Sequence, residues 1–491
     1  MADGGPARPQ RAAHESRRPP TARAPSLRVR PPALPEPPKR HRRTYTADGV
    51  LPPPGTSLPP PDLLPRARLS SVVGRLTFVN VAVAVAGIVT GPLQARALGA
   101  EGRGELAAIL VPLTLAPLLL SLALGTYAAR ESASGRRPVK ELVGSVSAPL
   151  LVMTIVGMAA GFPIARLLAN GNDTVQTYLT VGFVLLPVGM AATLLVPLMA
   201  GLERWGLVIF QRAVTIAVPS VGIAVMYMLD EMTVARVVIL TMVGSALSIV
   251  PAIVVVARAG RPVFRRATAR ASVSFGLRTW VGGLALVANV RLDQLLMITL
   301  VDQRELGLYA VAVTLAGLSS LVIGALGPPL ITRVAQGDTA LVPRALRVVL
   351  AAVGGLNLAV AAMTPVVLPA IFGSEFEHAV DQAAILLVAG IPLTGIVILT
   401  AALAADGAPG KSSVGEAIAL MITVPGLFVL VPVLGGLGAA AVSLAAYSVS
   451  FAYQLLVTRR RLGGSLRSYL LPGAADARWA LTLVTRPRQS A

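Results

Sequence analysis

Between Ser272 and Ala310 an apolar run long enough to cross a membrane carries Arg278, Asn289, Arg291, Asp293 and Gln294 inside it. The chemistry available to such a set is anion binding, because a guanidinium is a permanently charged planar fork that matches phosphate oxygens in pairs. Placing an Arg or Asp near the centre of a bilayer-spanning helix costs about 2.5 to 3.5 kcal/mol, so groups of this kind face protein or a water-filled space. The helix therefore reads as the wall of a polar path. Arg291 and Asp293 are two positions apart, about 200° around a helix, and cannot pair with each other as residues three or four apart would. Each needs a partner on another helix, in water or on a substrate.

The elements that hold these residues are set by composition. Of 491 residues, 54% are hydrophobic and only 13% charged, with a mean hydropathy of +0.72, which is the profile of an all-α polytopic membrane protein. The absence of cysteine excludes disulfides, thiolate metal sites and a cysteine nucleophile, and the three His are scattered. No metal or other cofactor is implied. A formal charge of +20 raises nucleic acid as a partner, but the basic residues sit in the tails and in alternate short loops, not on one face. The bilayer is the partner that accounts for their distribution.

Residues 1–68 are rich in Pro and Arg with almost no apolar clustering, and are expected to form a disordered cytoplasmic tail. From Leu69 onward, twelve apolar segments approach the length of about 20 residues needed to cross hydrocarbon. They cover approximately 72–96, 104–129, 141–168, 174–200, 205–229, 233–257, 272–300, 305–332, 344–371, 378–404, 411–434 and 436–458. Several contain Pro, and kinks are expected at some of Pro112, Pro117, Pro187, Pro197, Pro219, Pro392 and Pro425. Lys and Arg collect on every second connection, as they do when orientation is fixed from the cytoplasm: the N-terminal tail, Arg130 to Lys140, Arg204, Arg258 to Arg270, Arg333 to Arg347, Lys411 and the tail from Arg459. Both termini are then cytoplasmic. The exceptions are Arg96, Arg103 and Arg304, on the opposite side.

Those exceptions fall in an internal echo. Glu101-Gly-Arg-Gly-Glu-Leu-Ala-Ala108 after the first span resembles Gln303-Arg-Glu-Leu-Gly-Leu-Tyr-Ala310 after the seventh. With the basic connection at the midpoint, it argues for two six-helix halves related by an axis along the membrane normal. The division expected is 69–258, a basic linker 259–271, 272–458, and a basic cytoplasmic tail 459–491.

Four stretches then resemble a known family: Ala97-Leu-Gly-Ala-Glu-Gly-Arg-Gly-Glu-Leu-Ala107, Gly201-Leu-Glu-Arg-Trp205, Arg291-Leu-Asp-Gln-Leu-Leu296 and Leu306-Gly-Leu-Tyr-Ala-Val-Ala312. They are similar to the polysaccharide-export branch of the multidrug/oligosaccharidyl-lipid/polysaccharide (MOP) superfamily, over about Leu69 to Arg461. The resemblance implies two six-helix bundles around a central cavity that opens alternately to each side. It also implies a flippase that moves undecaprenyl-pyrophosphate-linked oligosaccharide across the bacterial plasma membrane. A lipid II flippase of the same superfamily is the alternative the resemblance leaves open; those proteins share lumen arginines but commonly have two further helices not found here.

A lipid-linked pyrophosphate glycan is a polyanion on an apolar tail, so its carrier needs a cationic cavity. The candidates are Arg75 in the first span, Arg212 in the fifth, and Arg278 and Arg291 in the seventh, with Asn80, Asn289 and Asn357 as sugar or backbone partners. Arg75 and Arg278 lie near cytoplasmic helix ends, where a long side chain also reaches headgroups. Arg291 has a second reading as half of a buried ion pair. Asp293 is read either as a support for Arg291's neighbours or as a carrier of a coupling ion, and Glu416 either as an ion-coupling group or as a surface residue. Three rival functions share these features: an ion-coupled multidrug exporter, a membrane glycosyltransferase or ligase, and a scaffold whose tail recruits glycan-assembly enzymes. The exporter would favour acidic residues in the cavity, and the enzyme a large external loop, whereas the outside loops here are short.

Overall fold

The computed structural model describes residues 66–317, 334, 338–473 and 476, without the side chains of 66–73, 77, 84 and 281–290. The tail expected to be disordered lies outside the described residues up to position 65. Among the described residues every regular element is helical: α1 (Arg66–Leu120), α2 (Leu124–Ala133), α3 (Val139–Ala169), α4 (Asp173–Val184), α5 (Leu186–Gly201), α6 (Trp205–Met228), α7 (Val234–Arg258), α8 (Arg266–Leu300), α9 (Gln303–Ala316), α10 (Val342–Phe372), α11 (Val380–Ala405), α12 (Pro409–Leu462) and the short α13 (Leu466–Leu470).

Seven of these are long and apolar enough to cross a membrane, or eight when α4 and α5, bent by 47°, count as one span. Two of the seven are double. α1 has 55 residues and α12 has 54, and a straight helix of that length would run about 80 Å, far beyond the ~30 Å of hydrocarbon. Each turns at a glycine in the left-handed region: Gly99 (φ 69°) in α1 and Gly435 (φ 56°) in α12. The turns are sharp. The Arg103 guanidinium donates to Gln94 Oε1 nine residues before it, while Gly426 packs on Val442 and Gly415 on Gln454 across the α12 hairpin. With α8, whose ionisable residues depress its hydropathy, and α9, the helices follow the twelve spans expected; the eighth is described only to Gly317.

Two breaks accompany prolines. The second span is interrupted between α1 and α2, where Ser121 N–H still reaches Pro117 O (3.0 Å) but Leu122 and Ala123 turn left-handed. The fourth is bent at Leu185, two residues before Pro187 at the start of α5. The helices run on through Pro112, Pro197, Pro219, Pro392 and Pro425, as expected where neighbours in a bundle satisfy the freed carbonyls.

The apolar cores show how the halves join. The largest gathers side chains from both, among them Leu106, Phe183, Tyr309, Phe372, Leu387 and Leu427. A second, with Leu124, Leu142, Met190 and Leu198, belongs to the first half and the opening turns of α8, and a third, with Leu346, Val353, Leu399 and Tyr469, to the second half. The bundles thus share a core towards the Gly99 turn and keep separate cores towards the chain termini.

The shared end is closed by the two echoed segments. A Cβ on Gly104 would stand 1.7 Å from the Gln303 carbonyl oxygen, and one on Gly307 would stand 1.8 Å from that of Ala100. The contacts are reciprocal: Ala100 and Gly104 occupy in the first segment the places of Gln303 and Gly307 in the second. Backbones approach this closely only where no side chain intervenes.

The three exceptional arginines serve the same closure. Arg96 donates to Ile371 O (2.9 Å) and to Ala370 O at the end of α10. Arg103 holds Gln94 and Thr314 (3.5 Å), and Arg304 meets Glu375 (3.9 Å). Glu375 also accepts the Ala100 N–H (3.2 Å). All three are engaged by protein partners, Arg103 in the interior and Arg96 and Arg304 at exposed positions.

Candidate functional site

α8 carries the candidate residues, and its two ends have different neighbours. Its first turns pack on α2 and α3 and its last turns on α12. Gly276 allows the approach on the first side, since a Cβ there would lie 2.4 Å from Leu122 O. Around the helix, Arg291 is exposed whereas Asp293 is buried at 4% exposure, in agreement with their ~200° separation.

Arg291 Nη1 donates to Gln294 Oε1 (3.1 Å), one turn on along its own helix. Among the described residues no carboxylate lies within ion-pair distance of it, so the reading of Arg291 as half of a buried ion pair is corrected. Arg212 is likewise exposed and donates to Asn80 Oδ1, joining α6 to α1. Arg75 and Arg278 are exposed as well. The side chain of Asn289 lies outside those described. Asn357 is fully buried and donates to Leu387 O (2.8 Å), tying α10 to α11. Its amide nitrogen is thus engaged with a carbonyl inside the bundle.

Asp293 is enclosed in the second half with neutral donors. The Tyr309 hydroxyl donates to Oδ2 (2.5 Å), and the Gln294 N–H donates to Oδ1 (2.7 Å). Ser443 neighbours the hydroxyls of both Tyr309 and Tyr447. Glu416, at 7% exposure, is buried rather than superficial, which corrects the surface reading; Gln454 Nε2 donates to it (3.5 Å) and accepts from Thr400 through Oε1 (3.1 Å). Two acids nominated from sequence therefore sit in the interior of one bundle.

Sequence reasoning missed Tyr309, Gln454 and the acids of the echo. Glu105 accepts from Asn172 Nδ2 (2.7 Å), and Glu305 accepts from Gln382 Nε2 (2.9 Å) and from the Gly436 N–H (2.7 Å) at the α12 turn. Part of the signal was available: a buried Tyr in a chain with 4% aromatics needs a partner for its hydroxyl.

An arrangement of two helical bundles, closed at one end and carrying exposed cations and buried acids in its spans, defines a polytopic transport fold. The structure is similar to that of the lipid II flippase MurJ in an inward closed conformation, with a TM-score of 0.68, 10% identity, and 84% of this chain and 93% of that one covered. It is similar also to an inward-facing multidrug resistance MATE family transporter of the MOP superfamily (TM-score 0.60, 14% identity, 79% and 98% covered). The MATE multidrug transporter DinF-BH is a further likeness (TM-score 0.55, 12% identity, 84% and 98% covered). No curated protein matches the sequence. The chain belongs to the polysaccharide biosynthesis protein family, whose profile matches residues 72–333.

Proposed function

We propose that this protein is a flippase that carries undecaprenyl-pyrophosphate-linked oligosaccharide across the bacterial plasma membrane by alternating access, for cell-surface polysaccharide synthesis. The observation that carries the reading is the exposed Arg291 within the long helix α8, with a neutral amide, Gln294, as its hydrogen-bond acceptor. A cation in that place is stable when it faces a hydrated cavity, and it attracts an anionic cargo. Arg212, Arg75 and Arg278 extend the cationic lining, with Asn80 and Asn289 as polar partners. Asp293 and Glu416 are the ion-coupling groups. Asp293 leads, because a buried acid among neutral donors can gain or lose a proton without breaking an ion pair.

In this reading 69–258 and 272–458 are the moving halves, 259–271 is the cytoplasmic linker between them, and both termini are cytoplasmic. The Gly104–Gly307 contact then closes the outer side. The tails, 1–68 and 459–491, are docking segments for glycan-assembly enzymes. The multidrug-exporter reading shares the fold but calls for acids at the cavity surface, and Asp293 and Glu416 are interior.

The test is transport by the purified protein in proteoliposomes, comparing a fluorescent polyprenyl-pyrophosphate glycan with a cationic dye. Movement of the glycan lipid and not of the dye is expected. Movement of the dye alone would sink the proposal.

A further inference from the structure

A second polar feature, which none of the candidates above touches, lies in the first half where the second span is broken. Leu122 (φ 47°) and Ala123 (φ 51°) are consecutive non-glycine residues in the left-handed region. Around them the hydrogen bonds shorten to three-residue turns, Leu124 N–H to Ser121 O (2.9 Å) and Thr126 N–H to Ala123 O (3.1 Å). Irregular backbone at membrane depth persists where it is buried in protein or lines a cavity, and strain of this kind collects at binding sites.

Here it lines one. A cavity of about 360 Å³ is bounded by Ser121 and Thr126 at the break, Thr193 on α5, and Thr279 and Trp280 on α8, with apolar neighbours and, among the described residues, no charged one. Two glycine crossings hold its walls together. A Cβ on Gly125 would stand 2.0 Å from Thr193 O, and one on Gly276 2.4 Å from Leu122 O, so α5 and α8 are both seated on the break.

The hydrogen-bonding state of the lining selects a ligand class. Ser121 Oγ donates to Leu118 O (3.1 Å), Thr193 Oγ1 to Met190 O (2.7 Å) and Thr279 Oγ1 to Phe275 O (3.1 Å). Each hydroxyl proton is thereby committed, and each oxygen keeps lone pairs for a donor in the cavity. The Trp280 indole N–H is buried and without a partner among the described residues. Oriented acceptors and an aromatic ring, all neutral, do not fit a phosphate, which calls for cations, and an acyl chain has no use for them. They fit a polyhydroxylated ring with an apolar face.

We propose that this cavity is a sugar subsite, taking a neutral pyranose ring of the cargo against Trp280 with the Ser121, Thr193 and Thr279 hydroxyls as acceptors. This rests on the flippase reading above, and adds that the headgroup is recognised by its sugar as well as by its phosphates.

The experiment measures equilibrium binding of two probes to the full chain in lipid nanodiscs: bare polyprenyl pyrophosphate, and polyprenyl pyrophosphate bearing a single glucose. The native protein is expected to bind the glucosylated probe about tenfold more tightly than the bare one. Thr193→Val and Trp280→Leu should each remove most of that increment, with the affinity for the bare probe changed less than twofold. Trp280→Phe, which keeps the ring and loses the N–H, should remove only part. Equal affinities of the native protein for the two probes, or variants that weaken both probes equally, would overturn the subsite while leaving the flippase reading intact. Failure of the native protein to bind either probe would end both.

Discussion

Within the membrane spans, the arginines and the acids are handled in opposite ways. Arg212 and Arg291 are exposed and each donates to a neutral amide oxygen, whereas Asp293 is buried beside a hydroxyl and a backbone amide and Glu416 is buried beside Gln454. A cation whose partner is a neutral amide can exchange that partner for a phosphate at small cost, since charge-assisted bonds are the stronger ones. Asp293, with neutral donors on both oxygens, has no ion pair among the described residues to fix its charge. The same chain shows the contrast outside the spans: Asp476 is gripped by Arg347 through two bonds (2.8 and 2.9 Å) and by Arg344 (3.2 Å), and is committed to the charged state. Partner choice separates groups that must respond from a group that only fastens.

The largest effect expected is at the exposed end of this comparison. Arg291→Ala should lower translocation of the glycan lipid by about 100-fold, roughly 2.7 kcal/mol in the barrier, with the amount of protein in the membrane unchanged. A proteoliposome assay checks it, and Arg291→Lys, which keeps charge but loses the fork, should recover only part.

The close approach of the two echoed segments rests on Gly104 and Gly307. Gly307→Val should force the two backbones apart, cut transport about tenfold, and raise hydrogen exchange across 97–105 and 303–310, because local opening is what exchange reports. Unchanged protection there would disconnect the echo from the closure.

Among the acids, Asp293→Asn keeps the volume and removes the titrating group. Transport should fall by roughly tenfold and lose its dependence on the proton gradient, while affinity for polyprenyl pyrophosphate stays within twofold. Tyr309→Phe leaves Asp293 with one donor fewer and should destabilise the protein by about 1 to 3 kcal/mol in thermal unfolding.

The smallest effect belongs to the fastened acid. The hydrogen bond from Arg347, then the Gly473 N–H, the Arg347 charge and the Arg344 hydrogen bond hold the Asp476 carboxyl well below the usual carboxylate range. A folded-state value lower than the unfolded ~3.9 stabilises fully above about pH 4, and the contribution is lost as pH falls through the folded value. Release of the C-terminal segment by limited proteolysis should therefore be flat from about pH 5 to 8 and rise only in stronger acid. Asp476→Asn should make it fast throughout.

Much of the fold was legible because hydrophobic length and alternating loop charge act residue by residue. Twelve spans follow from runs such as Val139–Ala169 and Val380–Ala405, and the break of the fourth span from Pro187. The turns at Gly99 and Gly435 sit where the spans were divided. Site residues were legible in kind but not in orientation. Arg291, Asp293 and Asn357 are all polar residues in apolar runs, yet one is exposed, one is enclosed beside a Tyr, and one is buried with its amide on a carbonyl, and nothing local separates them.

The sequence by itself determined that this is a polytopic helical membrane protein with cations set into its spans, built from two echoing halves. Those properties depend on the transfer cost of each segment and each charge, which sum along the chain. Only the tertiary structure decided which side chains share a cavity and which are spent on each other. The reciprocal approach of Gly104 and Gly307, the Tyr309 bond to Asp293, and the hydroxyl-lined space beside Trp280 all join residues far apart in sequence, and their energies exist only once the helices cross.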